Sequence, residues 1–337
     1  VIARVERLRP TVNTRLEILR LLADGQLHSG ADIGRKLGMS RAAVNKGVKG
    51  LAANGLEVRA VAGLGYRLEA AVTPLDRRRI LQLLDAAGMP VRHLEILEQV
   101  DSTSRHLLAR ALVDTDPSGM VCIAEVQSQG RGRRGSSWIA TPYANLMLSM
   151  AWRFAVGPAM VAGLSLAAGV AVARALEAYG LSDVGLKWPN DVLWHQRKLA
   201  GLLVDVHGEA SGPCTVVLGV GVNCHVGAAD ARNIDQPWAD IYAVTGVTPD
   251  RNRLAAILIQ QIYDMFTTFS ASGLAAYQAD WNRRHVFANR PVRLFRNHAT
   301  FEGTVDGIDE HGALRLRQAD GRIRLFHSGE VSLRSAV

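Results

Sequence analysis

Between Leu94 and Ala288 short apolar runs outnumber the helical stretches that could cross between them, and this imbalance limits the fold more than any other feature. Val121 to Val126, Leu146 to Phe154, Val184 to Lys187, Asp191 to Trp194, Leu199 to Val206 and Thr215 to Val222 all read as strands. The longer helical windows are Ala159 to Tyr179 and Arg251 to Ser270. A doubly wound fold needs strict alternation of strand and helix. The pattern lacks it, and so predicts a mixed α+β domain with a largely antiparallel sheet.

At 337 residues and 48% hydrophobic, the chain can bury more than one core, and two or three domains are expected. The most apolar window, Pro158 to Ala173, is Ala/Gly-rich and falls short of the roughly 18 residues of a membrane span. It reads as a buried helix, with no membrane role. Val1 to Arg9 is already rich in arginine and carries no apolar signal stretch. Cys122, Cys214 and Cys224 have no metal-ligand spacing, and their odd number argues against a disulfide framework. A reducing cytoplasm is the expected location.

Net charge is +8, concentrated at one end. Up to Pro74 there are 12 Lys/Arg against 6 Asp/Glu; beyond it, 27 against 25. A polyanion partner is therefore sought in the first quarter. Thr14 to Ala23 carries Leu16, Ile18, Leu19 and Leu22 near helical spacing, and Asp24-Gly25 ends it. Ser29 to Asp32 resembles a capping box opening a second helix through Leu37. After Gly38-Met39, Ser40 can cap a third helix that Asn54-Gly55 stops. Glu57 to Val61 and Gly65 to Leu68 read as a hairpin. This order is the plan of a winged helix-turn-helix, with Arg41, Asn45 and Lys46 of the third helix as candidate DNA contacts. Gly47 and Gly50 lower that helix's intrinsic stability by roughly 1 kcal/mol each. Pro74 marks a boundary, and Asp76 to Met89 reads as a helix leading into the next unit.

Four polar motifs punctuate the strands. Asp101-Ser102-Thr103 follows an apolar run. Gln127 to Trp138 contains GRGRRG, Gly130 to Gly135. Lys187-Trp-Pro-Asn190-Asp191 joins two strands, and Arg197-Lys198-Leu-Ala-Gly201 sets a lysine at the start of another. In this order they resemble the biotin protein ligases. With the first domain included, the chain resembles the bifunctional bacterial ligases that also repress biotin synthesis genes. GVGVN (Gly219 to Asn223) strengthens the match, Ser40 to Lys46 looks like the family's recognition helix, and the β-rich segment from Asn289, ending in Gly329 to Arg334, looks like its SH3-like C-terminal domain. Domains are accordingly expected at 1–74, 75–288 and 289–337. Ser136-Ser137 departs from the family, which commonly carries a basic residue after the last loop glycine.

The resemblance implies a two-step reaction. Biotin's carboxylate attacks the α-phosphate of ATP, giving biotinyl-5′-adenylate and pyrophosphate; an acceptor lysine then takes the acyl group. Arginines on a glycine backbone cannot settle against one another, so the empty loop is expected to be mobile and to order on anionic ligands. Arg133 stands at the family's biotin-contacting position, with Gly130 and Arg131 in the same pocket. Lys198 is the expected chief catalytic cation and also a biotin contact, and Arg133 is expected to share the catalytic work. Ser102, Thr103 and Gln127 are expected to bind the polar groups of biotin, and Arg131, Asn190 and Asn223 the nucleotide. Trp138 either stacks on adenine or belongs to the core. Asp191 is a candidate to orient or deprotonate the incoming lysine. The implied partners are the biotin carboxyl carrier domain of acetyl-CoA carboxylase or a related carboxylase, operator DNA, and a second copy in a ligand-linked homodimer. Mg²⁺ arrives with ATP, since no carboxylate cluster suggests a dedicated metal site. A ligand-sensing repressor without ligase activity and a lipoyl or octanoyl ligase remain the alternative readings.

Overall fold

The computed structural model describes residues 14–53, 56–69, 72–89, 91, 93–296, 299–327 and 331–335. They fall into two compact units, Val1–Pro74 and Leu75–Val337.

In the first unit, helices α1 (Thr14–Leu22), α2 (Gly30–Leu37) and α3 (Arg41–Ala53) precede an antiparallel pair, β1 (Val58–Val61) and β2 (Gly65–Leu68). Leu16, Ile18, Leu19 and Leu22 of α1, Ile33 of α2, and Val44, Val48 and Leu51 of α3 are buried, one apolar stripe per helix. Ser29 caps α2 by accepting the Asp32 amide at 3.0 Å. The second half of the box takes a different form: the Asp32 carboxylate accepts the Ser29 hydroxyl at 2.7 Å, being a methylene shorter than the Glu of the usual motif. Ser40 caps α3 through the Ala43 amide at 3.2 Å. The expected stop at Asn54-Gly55 lies outside the described residues, as do Val1 to Arg9 and Gly329-Glu330.

The two glycines of α3 have a packing reason. A Cβ on Gly47 would stand 2.4 Å from Ile18 Cδ1, and one on Gly50 2.9 Å from Arg15 Cδ. Helix propensity is exchanged for close approach of α1 to α3. Gly65 does the same for the hairpin: a Cβ there would meet the His28 carbonyl oxygen at 2.0 Å. His28 and Tyr66 exchange both backbone hydrogen bonds at 2.9 Å, tying β2 to the α1–α2 connection.

The second unit opens with α4 (Arg77–Ala86), capped by Asp76. A sheet follows, built from β3 (His93–Val100), β4 (Met120–Gln127), β5 (Leu146–Phe154), β6 (Val184–Lys187), β7 (Asp191–Trp194), β8 (Arg197–Gly208) and β9 (Cys214–Val222). Its order is β3-β4-β5-β9-β8-β7-β6. Five of its six pairings are antiparallel; β3 and β4 are parallel, joined through α5 (Thr103–Ala111). The fold is mixed α+β.

Helix α6 (Leu164–Tyr179) departs from the expected single helix over Ala159 to Tyr179. Residues Pro158–Val161 form a separate 3₁₀ turn, and Gly163, left-handed at φ 80°, breaks the path before α6 begins. The apolar stretch is also longer than expected: Pro158–Tyr179, 22 residues, is long and apolar enough to cross a membrane by length and composition. In the structure 67% of its most apolar window is buried, with Gly169 of α6 lying against Leu186 and Leu202 of the sheet.

Short helices α7 (Ala228–Ala231) and α8 (Ile241–Thr245) lead to α9 (Arg251–Ser272) and α10 (Ala275–Arg284). Inside the core, Arg251 at the start of α9 pairs with Glu125 of β4 at 2.7 Å, the two side chains 2% and 0% exposed. Strands β10 (Pro291–Arg296), β11 (Ala299–Ile308), β12 (Leu314–Arg317), β13 (Ile323–Phe326) and β14 (Val331–Ser335) form a second, all-antiparallel sheet in the order β13-β12-β11-β10-β14. Its buried residues, among them Val292, Leu294, Leu314 and Phe326, are continuous with the core of the larger sheet.

Candidate active site

The ends of β4, β7, β8 and β9 surround a cavity of about 310 Å³. Ser102, Thr103, Gln127, Arg131, Arg133, Trp138, Asn190, Asp191, Lys198 and Asn223 all line it, gathered from five separate stretches of chain. Gly130 does not. It lies on the outer side of the loop, and its role is steric: its carbonyl accepts the Trp138 amide at 2.9 Å, and a Cβ would meet the Trp138 carbonyl oxygen at 2.4 Å.

The Gly/Arg loop is folded on itself. Gly132 N–H donates to the Ser136 carbonyl at 2.7 Å, and the Ser136 hydroxyl to the Arg133 carbonyl at 2.8 Å, so Ser136 closes the loop. Arg134 and Gly135 take left-handed angles, φ 56° and 75°. The loop is expected to order on anionic ligands, yet Arg131 already has a partner within the protein, Asp205 of β8 at 3.0 Å. Arg133 is half-buried and reaches Asn190 Oδ1 at 3.4 Å. Burial and the neighbouring Arg134 lower its pKa from the ordinary guanidinium value, with Asp191 opposing them. Guanidinium remains cationic throughout the working range, so a poorly solvated positive charge faces the cavity.

Lys198 Nζ pairs with Asp191 Oδ1 at 2.8 Å and lies 5.6 Å from the centre of the Trp138 ring. The β7–β8 hairpin produces the pairing: Leu193 stands opposite Lys198, and Asp191, two residues earlier, shares its face. Trp138 sits on a floor of two glycines opposite each other in register, Gly201 and Gly221, where added Cβ atoms would stand 2.8 and 2.4 Å from its indole. Its Nε1 is buried without a hydrogen-bond partner. Asn223 donates from Nδ2 to the carbonyls of Lys198 and Ala239, both at 3.2 Å. Its donors are thus committed to the backbones of Lys198 and Ala239, leaving Oδ1 as its remaining polar atom. Asn190 Nδ2 likewise donates to the Leu202 carbonyl at 2.8 Å.

Ser102 occupies the N-cap position of α5, is 2% exposed and makes no side-chain capping bond. Its hydroxyl is a cavity group and not a cap. The turn carrying Asn190 and Asp191 contains a cis peptide before Pro189 and is held from two sides. Ser165 donates to the Pro189 carbonyl at 3.0 Å, and the buried Trp188 indole donates to the Gly312 carbonyl, in the β11–β12 connection, at 3.1 Å.

Sequence reasoning missed one wall. Asn233 to Gln236 and Trp238 line the cavity, and this segment also grips Lys198, whose amide donates to Pro237 O at 2.9 Å and whose carbonyl accepts the Ala239 amide at 3.0 Å. The stretch has no periodicity; its one signal was the tryptophan in an otherwise polar run. Among the described residues no group of three or more His, Cys, Asp or Glu is gathered as a metal site.

In the first unit, Arg41, Lys46 and Lys49 of α3 are exposed beside Ser40. Asn45 is partly drawn inward, donating to Tyr66 Oη at 2.9 Å, so it joins α3 to β2 as well as standing on the basic face.

Known proteins resemble this chain in sequence and in fold. Residues 96–223 match the biotin/lipoate A/B protein ligase family, 287–334 the biotin protein ligase C terminal domain, and 14–67 an HTH domain. The chain is 41% identical over 321 residues to the bifunctional ligase/repressor BirA of Escherichia coli (strain K12), covering 95% of this chain and 97% of that protein. It is 35% identical over 263 residues to the biotin–acetyl-CoA-carboxylase ligase of Mycobacterium tuberculosis, covering 77% and 95%. The biotin protein ligase of Aquifex aeolicus, solved in complex with biotin and ATP, has a similar fold at TM-score 0.61 and 24% identity, over 73% of this chain and all of that one. Fold, cavity and sequence agree that the chain belongs to the biotin protein ligase family, among the bifunctional BirA-type ligase/repressors.

Proposed function

We infer that this chain is an ATP-dependent biotin protein ligase that also acts as a biotin-responsive, DNA-binding repressor. The observation that carries the reading is the convergence on one cavity of three cationic side chains and a row of uncharged hydrogen-bonding groups. Step one brings a carboxylate to within about 3 Å of a triphosphate, anion against anion, where a poorly solvated pocket screens weakly. Arg131, Arg133 and Lys198 supply the opposing charge. Ser102, Thr103 and Gln127 hold the uncharged end of biotin, and MgATP is the second substrate.

The Lys198–Asp191 pair links the two steps. With substrates bound, Lys198 is drawn toward the α-phosphate and stabilises charge developing there. Asp191, released from its ion pair, is then free to accept a proton from the amine of the acceptor lysine. That lysine belongs to the biotin carboxyl carrier domain of acetyl-CoA carboxylase or a related carboxylase.

For the repressor role, α3 serves as recognition helix and β1–β2 as the wing, with Ser40, Arg41, Asn45 and Lys46 at the DNA. Two copies joined once adenylate is bound would read a two-fold operator. We take the catalytic domain as 75–288 and the sheet from 289 onward as SH3-like. Both partners place the work in the cytoplasm. Purified protein mixed with biotin, MgATP and a carrier domain is expected to yield biotin covalently bound to the carrier; an unmodified carrier overturns the reading.

A further inference from the structure

Thr103, Ser104 and Gln127 of the cavity wall and Ser149 behind it form one chain of hydrogen bonds. Gln127 Oε1 accepts from the Thr103 amide at 2.7 Å and from the Thr103 hydroxyl at 3.0 Å. Thr103 Oγ1 accepts from the Ser149 hydroxyl at 2.8 Å, and Ser149 lies 3.0 Å from the Ser104 hydroxyl. Thr103, Ser104 and Ser149 are 3%, 5% and 0% exposed, so water does not compete along the chain.

The direction of every proton follows from one backbone group. The Thr103 amide can only donate, so the Gln127 atom facing it is the oxygen. That oxygen takes the Thr103 proton, Thr103 takes the Ser149 proton, and Ser149 takes the Ser104 proton. Toward the cavity, Gln127 then offers Nε2, a donor, while Thr103 Oγ1 has given up its proton and can only accept. An N–H beside a carbonyl satisfies both, as in a cyclic urea. A dithiolane ring has neither group.

We propose that Ser149, with Ser104, is a specificity-determining positioning residue: the Thr103 amide and Gln127 set the polarity, and Ser149 holds the Thr103 hydroxyl in the place from which it meets the ureido ring of biotin; this rests on the biotin reading above. Gly219 is part of the device. It stands opposite Ser149 across β5 and β9, and a Cβ there would lie 2.4 Å from Ser104 Oγ and 3.6 Å from Ser149 Oγ. The first glycine of GVGVN keeps open the space that the Ser104 hydroxyl occupies.

The test compares wild type with Ser149→Ala, Ser149→Cys and Gly219→Ala in adenylation of biotin and of its cyclic carbamate analogues, where a ring oxygen replaces either ureido N–H. Wild type is expected to reject one carbamate strongly, because two acceptors would face each other. In Ser149→Ala the Thr103 hydroxyl is no longer held. The biotin KM is expected to rise about tenfold and discrimination against that carbamate to fall by a similar factor, with the ATP KM unchanged. Ser149→Cys keeps the volume with a weak donor, so it reports the same loss if the alanine variant fails to fold. Gly219→Ala is expected to follow both. Folded Ser149 variants that keep wild-type biotin KM and discrimination overturn the proposal, as does an equal rise in both KM values. If wild type does not adenylate biotin at all, the underlying reading fails first.

Discussion

Lys198 and Asp191 form an ion pair at 2.8 Å in the wall of the cavity, their side chains 17% and 16% exposed. One substitution on each side separates their roles. Lys198→Ala is expected to cut adenylate formation by at least about a hundredfold, the usual cost of losing a fixed group that stabilises transition-state charge. Asp191→Asn is expected to slow transfer from preformed adenylate more than it slows adenylation. Single-turnover assays of each half-reaction check both; equal losses in the two steps would remove the proposed part of Asp191 in transfer.

The Arg131–Asp205 pair predicts how the loop behaves without ligand. Asp205→Asn frees Arg131, and protease cleavage within 130–138 is expected to quicken in the empty protein. Biotin and MgATP together are expected to bring both proteins to the same slow rate. Cleavage that ignores the ligands would refute ordering of the loop.

His285 is buried against Trp281 and Phe287, and neither ring nitrogen has a hydrogen-bond partner. Burial pushes its pKa down to about 3. A depressed pKa means the unfolded chain binds the proton first, so stability is full above the unfolded value near 6.5 and falls as pH drops toward 3. His285→Phe removes this dependence. The variant is expected to match or exceed wild type at pH 7 and to gain about 1.4 kcal/mol on it per pH unit between roughly 6 and 4.5. Urea unfolding at several pH values measures the difference curve; a flat curve contradicts the sign.

Arg251 and Glu125 form an ion pair inside the core, and Arg251 also donates to the Asn145 carbonyl at 3.0 Å. Arg251→Ala strands a buried carboxylate and is expected to cost about 3–5 kcal/mol, read by urea unfolding. Arg251→Met with Glu125→Leu together is expected to recover much of that loss.

On the DNA side, Lys46→Ala is expected to weaken operator and random-sequence binding by similar factors and to reduce the salt slope by about one. Asn45→Ala also removes the bond to Tyr66, so it is expected to lower the first unit's stability by about 1 kcal/mol as well. Fluorescence anisotropy across a salt series and thermal melting separate the two effects.

Much of this could be read from residue order alone. Leu146–Phe154, Val184–Lys187 and Asp191–Trp194 form strands over the ranges expected, because each is a short apolar run bounded by turn-forming residues. Strand β3 shows in the sequence only as the apolar run before Asp101: Glu95, Glu98 and Gln99 interrupt its pattern, and its place beside β4 depends on a parallel pairing that no local signal announces. The Lys198–Asp191 contact was within reach, since a turn at His195-Gln196 folds the two residues onto one face. Ser149 was not. A lone hydroxyl in an apolar strand looks like a minor defect until Thr103, 46 residues away, is seen to accept its proton. The glycines of α3 and Gly130 mislead for a related reason, because their use is the room they leave for a neighbour.

The bond from Trp188 to Gly312 spans 124 residues of chain. On the ribosome, the turn bearing Asn190 and Asp191 emerges well before the carbonyl that anchors it. At about 5–20 residues per second the interval is roughly 6–25 s. A nascent polypeptide therefore carries every group of the pocket's floor while one of the two braces of its turn is still being translated.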